Sequence, residues 1–140
     1  MLDLQASVRD LMTANPWAVG LEDSPTDVWT GMLNGGFHHV PVVADEATGR
    51  RLLGILSITD LAQAIREVPS EIRETGVILD ASLSIAAMMA RQVETLPATA
   101  KVREVVERFA EGRYHSVPVV DGELLVGIVT TTDLARALLA

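Results

Sequence analysis

Apolar residues recur along the chain in two patterns, one with helical spacing and one in continuous runs. Val28 and Met32 share the spacing of one helix face, and apolar residues return every three or four positions across 99–111. The runs 40–43 and 52–56 are apolar at nearly every position, which is typical of strands covered on both faces. The pattern predicts the order helix, strand, helix, strand, strand, helix, and it predicts this order twice.

Capping and turn residues set the bounds of these elements. Ser24 followed by Pro25 is typical of a helix start, and two glycines end that helix near Asn34. The pair Asp121-Gly122 predicts a tight turn in the second hairpin. The other predicted elements are helices near 4–12, 58–67, 83–89, 99–111 and 131–139, short strands near 17–21 and 93–96, and first-hairpin strands at 38–44 and 51–57.

The second half of the chain repeats the first in sequence as well as in pattern. Phe-His-His-Val-Pro-Val-Val at 37–43 recurs as Tyr-His-Ser-Val-Pro-Val-Val at 114–120. Gly-Ile-Leu-Ser-Ile-Thr-Asp-Leu-Ala at 54–62 recurs as Gly-Ile-Val-Thr-Thr-Thr-Asp-Leu-Ala at 127–135. A repeat that fills the chain predicts two similar units, so any site built by one unit is expected twice. We place the first repeat at 1–66, a linker at 67–80 and the second repeat at 81–140.

Composition and charge narrow the function classes. The chain has 140 residues, 49% of them hydrophobic and only 4% aromatic, so we expect an aliphatic core shared by two thin repeats. The net charge of −8 argues against nucleic-acid or anionic-membrane binding, since both need a basic surface. The absence of cysteine excludes disulfides and thiol catalysis. With no signal-peptide pattern and no long apolar run, we expect a cytoplasmic protein.

The repeated Ser/Thr-x-Thr-Asp motif lies where a strand ends and a helix begins, and it has two interpretations. Ser57 and Asp60 fit a capping box, as do Thr130 and Asp133, and this role needs nothing beyond folding. The same hydroxyl and the free N–H groups of a helix start can also hold a phosphate. The acid one turn later could accept hydrogen bonds from ribose hydroxyls. The two roles can coexist.

The histidines have two interpretations of their own. His38 and His39 are adjacent on a predicted strand, so their side chains point to opposite faces and cannot easily chelate one metal together. With no cysteine and no clustered acids beside them, we expect no metal site. His38 and His115 are then either hydrogen-bonded at the strand entrance or placed to contact a phosphate.

The doubled signature Gly-Ile-x-Ser/Thr-x-Thr-Asp-Leu, preceded each time by His-x-Val-Pro-Val-Val, resembles a tandem pair of CBS domains across nearly the whole chain. The resemblance implies an α+β fold of the CBS type. It further implies two β-α-β-β-α repeats related by a pseudo-twofold axis, each with a small mixed sheet flanked by helices. Clefts between the sheets of this family often bind adenine nucleotides or adenosyl compounds and control a partner protein.

The same resemblance assigns roles to individual residues. The motif acids Asp60 and Asp133 correspond to ribose contacts, and the hydroxyls of Ser57 and Thr130 to positions near the phosphate. Ser116 stands where a basic residue is common in the family, so we expect repeat one to be the better phosphate holder. The remaining candidates are the motif threonines, the histidines before the strand proline, and the short first strands that would meet adenine: Thr59, Thr132, His38, His39, His115, Val19 and Leu96.

Three classes of function follow. The leading hypothesis is a non-catalytic regulatory module that binds AMP, ADP, ATP or S-adenosylmethionine without requiring any cofactor. The alternative is a ligand-free dimerisation or protein-interaction module. An enzyme is disfavoured, because the chain has no phosphate-binding Gly-Lys loop, no nucleophile elbow and no His-Glu-x-x-His. We also expect a homodimer, since each repeat is small and apolar faces recur near 8–12, 85–89 and 135–139.

Overall fold

The computed structural model describes residues 2–69 and 82–140. Most of the predicted linker 67–80 therefore lies outside the described residues. A short 3-10 helix, Val8–Asp10, precedes the other elements. In chain order these are β1 (Thr13–Ala14), α1 (Pro25–Gly35), β2 (His39–Glu46), β3 (Gly49–Ser57), α2 (Ile58–Glu67), α3 (Ile85–Met88), β4 (Leu96–Pro97), α4 (Val102–Ala110), β5 (Ser116–Asp121), β6 (Leu124–Thr130) and α5 (Thr131–Leu139).

The prediction of a mixed α+β fold is confirmed, and several predicted bounds hold to the residue. The helices that follow the motif strands, α2 and α5, begin and end as predicted. The helix α1 begins at Pro25 behind its cap Ser24 and ends one residue beyond the predicted Asn34. No helix of the described residues is long and apolar enough to cross a lipid bilayer.

The helix predicted near 4–12 is wrong, because the backbone there is paired elsewhere. Only three residues form a 3-10 turn, with Val8 buried beneath it. The N–H groups of Val8 and Arg9 donate to the carbonyls of Ala100 and Ala98. In the other direction, Val102 donates to the carbonyl of Ala6. Groups that serve a neighbouring segment cannot also close helical hydrogen bonds.

The described residues form two compact units, which we name by the motif acid that each contains. The Asp60 unit comprises Trp17–Asp45 and Leu53–Gln92. The Asp133 unit comprises Met1–Pro16, Glu46–Leu52 and Val93–Ala140. The first residues of each repeat therefore belong to the unit of the other motif: the segment up to Pro16 to the Asp133 unit, and the segment up to Gln92 to the Asp60 unit.

The Asp133 unit is built on an antiparallel hairpin, β5–β6, with additions on both sides. Its neighbours are β4, which runs parallel to β5, and β1, which runs antiparallel to β6. The mixed sheet predicted for a repeat is therefore present here. Its core is aliphatic, with fully buried valines on both hairpin strands, on α4 and on the N-terminal segment: Val8, Val105, Val117, Val119 and Val129.

The Asp60 unit has the same plan with different chain segments. Strands β2 and β3 are neighbours, and two isolated bridges extend them on either side. Val19 pairs in parallel with Val42, and Ala90 pairs antiparallel with Ile55. Its fully buried core residues come from α1, β2, β3 and α2: Met32, Val40, Val42, Leu56 and Leu61.

One strand contact has the same register in both units. Thr13 pairs with Ile128 in the Asp133 unit, and Ala90 pairs with Ile55 in the Asp60 unit. Because Ile55 and Ile128 hold the same position of the repeated signature, Thr13 and Ala90 occupy equivalent places. The glycine before each isoleucine permits this approach, since a Cβ on Gly54 would lie 2.5 Å from the carbonyl oxygen of Ala90.

We expect Gly54→Ala to lower the free energy of unfolding by about 1–3 kcal/mol, because its methyl group would push away the backbone of Ala90. The matched control is Gly20→Ala in the same unit, where the new Cβ would lie 3.7 Å from the nearest atom, the carbonyl oxygen of Val43. This control is expected to change stability by less than about 1 kcal/mol. Urea unfolding measures both. Equal stability of Gly54→Ala and the wild-type protein would contradict the close approach.

Candidate functional site

Two hydrogen bonds hold the candidate site of the Asp60 unit together, one to a side chain and one between backbone groups. Ser57 is the N-cap of α2, and its Oγ accepts from the N–H of Asp60 at 3.0 Å. The first helical N–H, of Ile58, donates to the carbonyl of His38 at 2.9 Å. This second bond places the start of β2 beside the start of α2. The candidates His38, Ser57 and Asp60 are therefore brought together.

The carboxylate of Asp60 is open. The residue is exposed, and its carboxylate oxygens make no hydrogen bond within the part of the chain that the structure describes. Thr59 and His38 are also exposed, while His39 is half-buried. An acid beside a capping hydroxyl at a helix start can accept hydrogen bonds from neighbouring alcohols, while unused N–H groups can receive an anion.

The Asp133 unit repeats the backbone arrangement of the Asp60 unit. Its capping box is closed, because the carboxylate of the acid also accepts from the N–H of the cap residue. Thr130 Oγ1 accepts from the N–H of Asp133 at 3.1 Å, and Asp133 Oδ2 accepts from the N–H of Thr130 at 2.9 Å. The hydroxyl of Thr130 also lies 3.1 Å from Asp133 Oδ2. Thr131 donates its N–H to the carbonyl of His115 at 3.0 Å, which repeats the bond from Ile58 to His38. Asp133 is half-buried, whereas Thr132 and His115 are exposed.

Thr13 is a residue of this site that sequence reasoning missed. Its Oγ1 donates to Asp133 Oδ1 at 3.1 Å. A usable signal existed in the repeat, because the offset from His38 to His115 also carries Thr13 onto Ala90. The two units therefore differ at this equivalent position, which holds a hydroxyl in the Asp133 unit and a methyl group in the Asp60 unit.

The candidates Val19 and Leu96 lie in the two short strands that the resemblance places against adenine. Val19 and Leu96 are both buried, and each pairs in parallel with the strand beside it. The N–H of Val19 donates to Pro41, and its carbonyl accepts from Val43. Because alternate residues of a strand direct their backbone groups to opposite sides, the neighbouring Ala18 is better placed than Val19 to offer an N–H or carbonyl to a base.

Arg113, the arginine nearest in sequence to His115, is already paired. Arg113 Nη2 lies 2.8 Å from Glu111 Oε2, and its guanidinium lies 5.5 Å from the ring centroid of Tyr114. The hydrogen bond from Arg113 lowers the pKa of Glu111, and the same bond raises the pKa of Arg113. Phosphate near His115 would have to compete with Glu111 for this cation. In the residues described, no group of three or more histidines and acids is arranged to hold a metal ion.

The capping motif alone does not define a site, because α1 begins with it too. Ser24 Oγ accepts from the N–H of Asp27 at 3.3 Å, in the sequence Ser-Pro-Thr-Asp. The helix start at Asp60 differs in its setting, since it follows a central strand and its first N–H is bound to His38. Asp27 is therefore a natural control for the role of Asp60.

Comparison with known families agrees with this geometry. The family model of the CBS domain matches twice, at residues 8–67 and 85–140. The chain belongs to the CBS domain family. The two matches follow the two repeats and include every candidate site residue, so the fold is that of a CBS pair.

Similar proteins extend across nearly the whole CBS pair. Hypoxic response protein 1 of Mycobacterium tuberculosis is 29% identical over 133 residues, which cover 94% of this chain and 85% of that protein. AcuB of Vibrio cholerae superposes with a TM-score of 0.78 at 26% identity, covering 97% of this chain and 92% of that one. The CBS domain pair of MJ0100, solved with 5′-methylthioadenosine and S-adenosyl-L-methionine, has a TM-score of 0.73 at 25% identity, covering 95% of each chain. Another curated relative matches in part, over 54% of this chain and 49% of its own length.

We expect Asp133→Asn to cost about 1–2 kcal/mol of stability and Asp60→Asn at most about 0.5 kcal/mol. The reason is that the Asp133 carboxylate accepts from Thr130 and Thr13, whereas Asp60 supplies only a charge near a helix N-terminus. Thermal and urea unfolding of the two variants measure the difference. Equal losses of stability in the two variants would show that the hydrogen bonds to the Asp133 carboxylate add nothing to the stability of the folded protein.

Proposed function

We propose that this CBS pair is a non-catalytic regulatory module that binds an adenosine-containing ligand, with the primary site in the Asp60 unit. The observation that carries the proposal is the exposed Asp60 carboxylate, which has no hydrogen-bond partner within the described residues although it stands at a helix start beside Ser57 and His38. The corresponding acid of the second repeat, Asp133, instead closes its capping box by accepting from the N–H of Thr130.

The proposed ligand contacts follow from the chemistry of each group. Asp60 accepts from the two ribose hydroxyls, which are neutral donors that an exposed carboxylate binds well. The hydroxyls of Ser57 and Thr59 and the first turn of α2 face the part of the ligand that bears a phosphate or its replacement. His38 adds a positive charge when protonated. Ala18 offers its backbone to the edge of the adenine.

The solved relative supports the choice of ligand class. MJ0100, whose CBS pair is similar over 95% of both chains, was solved with two adenosyl compounds that share adenine and ribose. The shared nucleoside is the part that Asp60 and Ala18 would recognise here. AMP, ADP, ATP and S-adenosylmethionine all contain it, and they differ only in the group directed toward the helix start.

Regulation would follow from a shift of conformational populations. A ligand that binds one arrangement of the chain more tightly than another changes their ratio by its difference in binding free energy. A partner protein that contacts the favoured arrangement would then respond to ligand concentration. The module needs no chemistry of its own for this role.

The alternative function, a ligand-free dimerisation module, is favoured by a different observation. The end of α5 exposes two large apolar side chains, Leu138 at 62% and Leu139 at 88%. The closed box of Asp133 also shows that the motif can serve folding alone. We therefore propose that two copies of the chain associate through the end of α5, whether or not a ligand is bound.

Isothermal titration tests the ligand proposal. We expect AMP or S-adenosylmethionine to bind the wild-type protein and Asp60→Asn to weaken the tightest binding at least tenfold, because a charged acceptor is lost. The control Asp27→Asn removes the same charge from the matching motif of α1 and should leave binding unchanged. If none of the four adenosine compounds binds ligand-free protein, the proposal fails. Equal weakening by both variants would assign the effect to net charge.

Light scattering tests the dimer. A wild-type species of about twice the 15.0 kDa chain mass is expected at micromolar concentration. Leu139→Ser is expected to shift the distribution toward monomer, because it removes the most exposed apolar side chain of α5. Leu33→Ser, at the 54% exposed Leu33 of α1, is the matched control and should leave the mass unchanged. A wild-type protein that stays monomeric would contradict the proposed interface.

A further inference from the structure

We infer that Thr13 determines which of the two CBS sites binds ligand, by occupying at Asp133 the acceptor position that a ribose hydroxyl would take. The inference rests on the proposed function and adds a selectivity residue to it. Thr13 belongs to the N-terminal segment, and its Oγ1 donates to Asp133 Oδ1 at 3.1 Å. The equivalent position at Asp60 is Ala90, which has no hydroxyl to donate.

Counting acceptor positions shows why this contact matters. A carboxylate has about four lone-pair positions, two on each oxygen. At Asp133, Oδ2 lies within hydrogen-bond distance of two donors, the N–H and the hydroxyl of Thr130. The hydroxyl of Thr13 takes one position of Oδ1. About one position is left, whereas a ribose diol needs two.

Asp60 presents the opposite case. Its carboxylate is exposed and no hydrogen bond to it occurs among residues 2–69 and 82–140. All of its acceptor positions are available to the ligand. Binding at Asp60 therefore displaces only water, while binding at Asp133 must also displace Thr13 or the closed capping box.

Thr13 and Ala90 are equivalent in their strand pairing as well as in the sequence repeat. Each is the antiparallel partner of the isoleucine that stands five residues before the motif acid, Ile128 or Ile55. The preceding methionines, Met12 and Met89, both pack over the motif glycines. The two sites thus share this strand register and differ in the side chain that it places there, so exchanging that side chain should shift the preference between the two sites.

The first experiment isolates the Asp133 site with the Asp60→Asn background. Titration with AMP and with S-adenosylmethionine is expected to show weak binding to Asp60→Asn alone. Adding Thr13→Val, which keeps the shape and removes the hydroxyl, should raise affinity about tenfold. Adding Thr13→Ser, which keeps the hydroxyl, should leave the weak binding unchanged. Thermal unfolding of each variant confirms that the fold is retained.

The second experiment transfers the contact to the Asp60 site in an Asp133→Asn background. Ala90→Thr should lower affinity for the same two compounds about tenfold, because it supplies a hydroxyl where Thr13 stands in the other unit. Ala90→Val adds the same bulk without the hydroxyl and should leave affinity close to that of the background. Equal losses for the two variants would mean that bulk alone closes the site, which would overturn the inference.

The outcomes separate this inference from the proposed function. If Asp60→Asn binds as tightly as Asp133→Asn, Thr13 does not select the site, yet ligand binding itself stands. If Thr13→Val weakens the Asp133 site, Thr13 orients the acid for the ligand and the inference is wrong. If neither compound binds the wild-type protein or any Thr13 variant, the proposed function fails and the inference fails with it.

Discussion

This CBS pair depends on one close contact that each unit makes: a distant chain segment packs antiparallel against β3 or β6 at the glycine of the repeated signature. Gly54 and Gly127 lack the Cβ that would collide with the methionine and backbone laid against them. The segment that packs against Gly127 contains Thr13, from the start of the first repeat, and the segment that packs against Gly54 contains Ala90, from the start of the second repeat. One close contact therefore joins distant parts of the chain, and in the Asp133 unit it also places Thr13 against the motif acid.

Folding and the proposed ligand recognition draw on the same hydrogen-bonding groups at these helix starts. A capping hydroxyl and an acid in the first turn stabilise a helix by satisfying its free N–H groups and its dipole. In the Asp133 unit, Thr130 Oγ1 accepts from the N–H of Asp133, and the carboxylate of Asp133 accepts from the N–H of Thr130 and from the hydroxyl of Thr13. At Asp60 only the serine cap is made, so part of the stabilising capacity remains unused. An unused acceptor at a conformationally fixed position is what a binding site needs, and its cost to stability is small.

Local signals made α2 and α5 predictable to the residue, because each follows an apolar strand and begins with its own cap. The failure near 4–12 has the opposite cause. The spacing of Leu4, Val8 and Met12 was helical, but long-range backbone partners at 98–102 took the hydrogen bonds. The bond from Thr13 to Asp133 spans 120 residues of sequence, so only knowledge of the strand register could reveal it. The repeat pointed to both acids as candidates but could not show that one of them accepts a hydrogen bond from Thr13.

The charges around the open site bear on the choice among the adenosine compounds. In the described part of the Asp60 unit, Arg66 lies in the last turn of α2, about 12 Å along the helix from its start. Arg91 directs its guanidinium to the carbonyl of Ala86. A triphosphate at the helix start would then meet neutral donors and His38, next to the negative charge of Asp60 and within a chain of net charge −8. Repulsion grows with each added phosphate, whereas the ribose and adenine contacts stay the same. For the proposed adenosine site, the charge balance therefore favours AMP or S-adenosylmethionine over ATP, and screening by salt should narrow that preference.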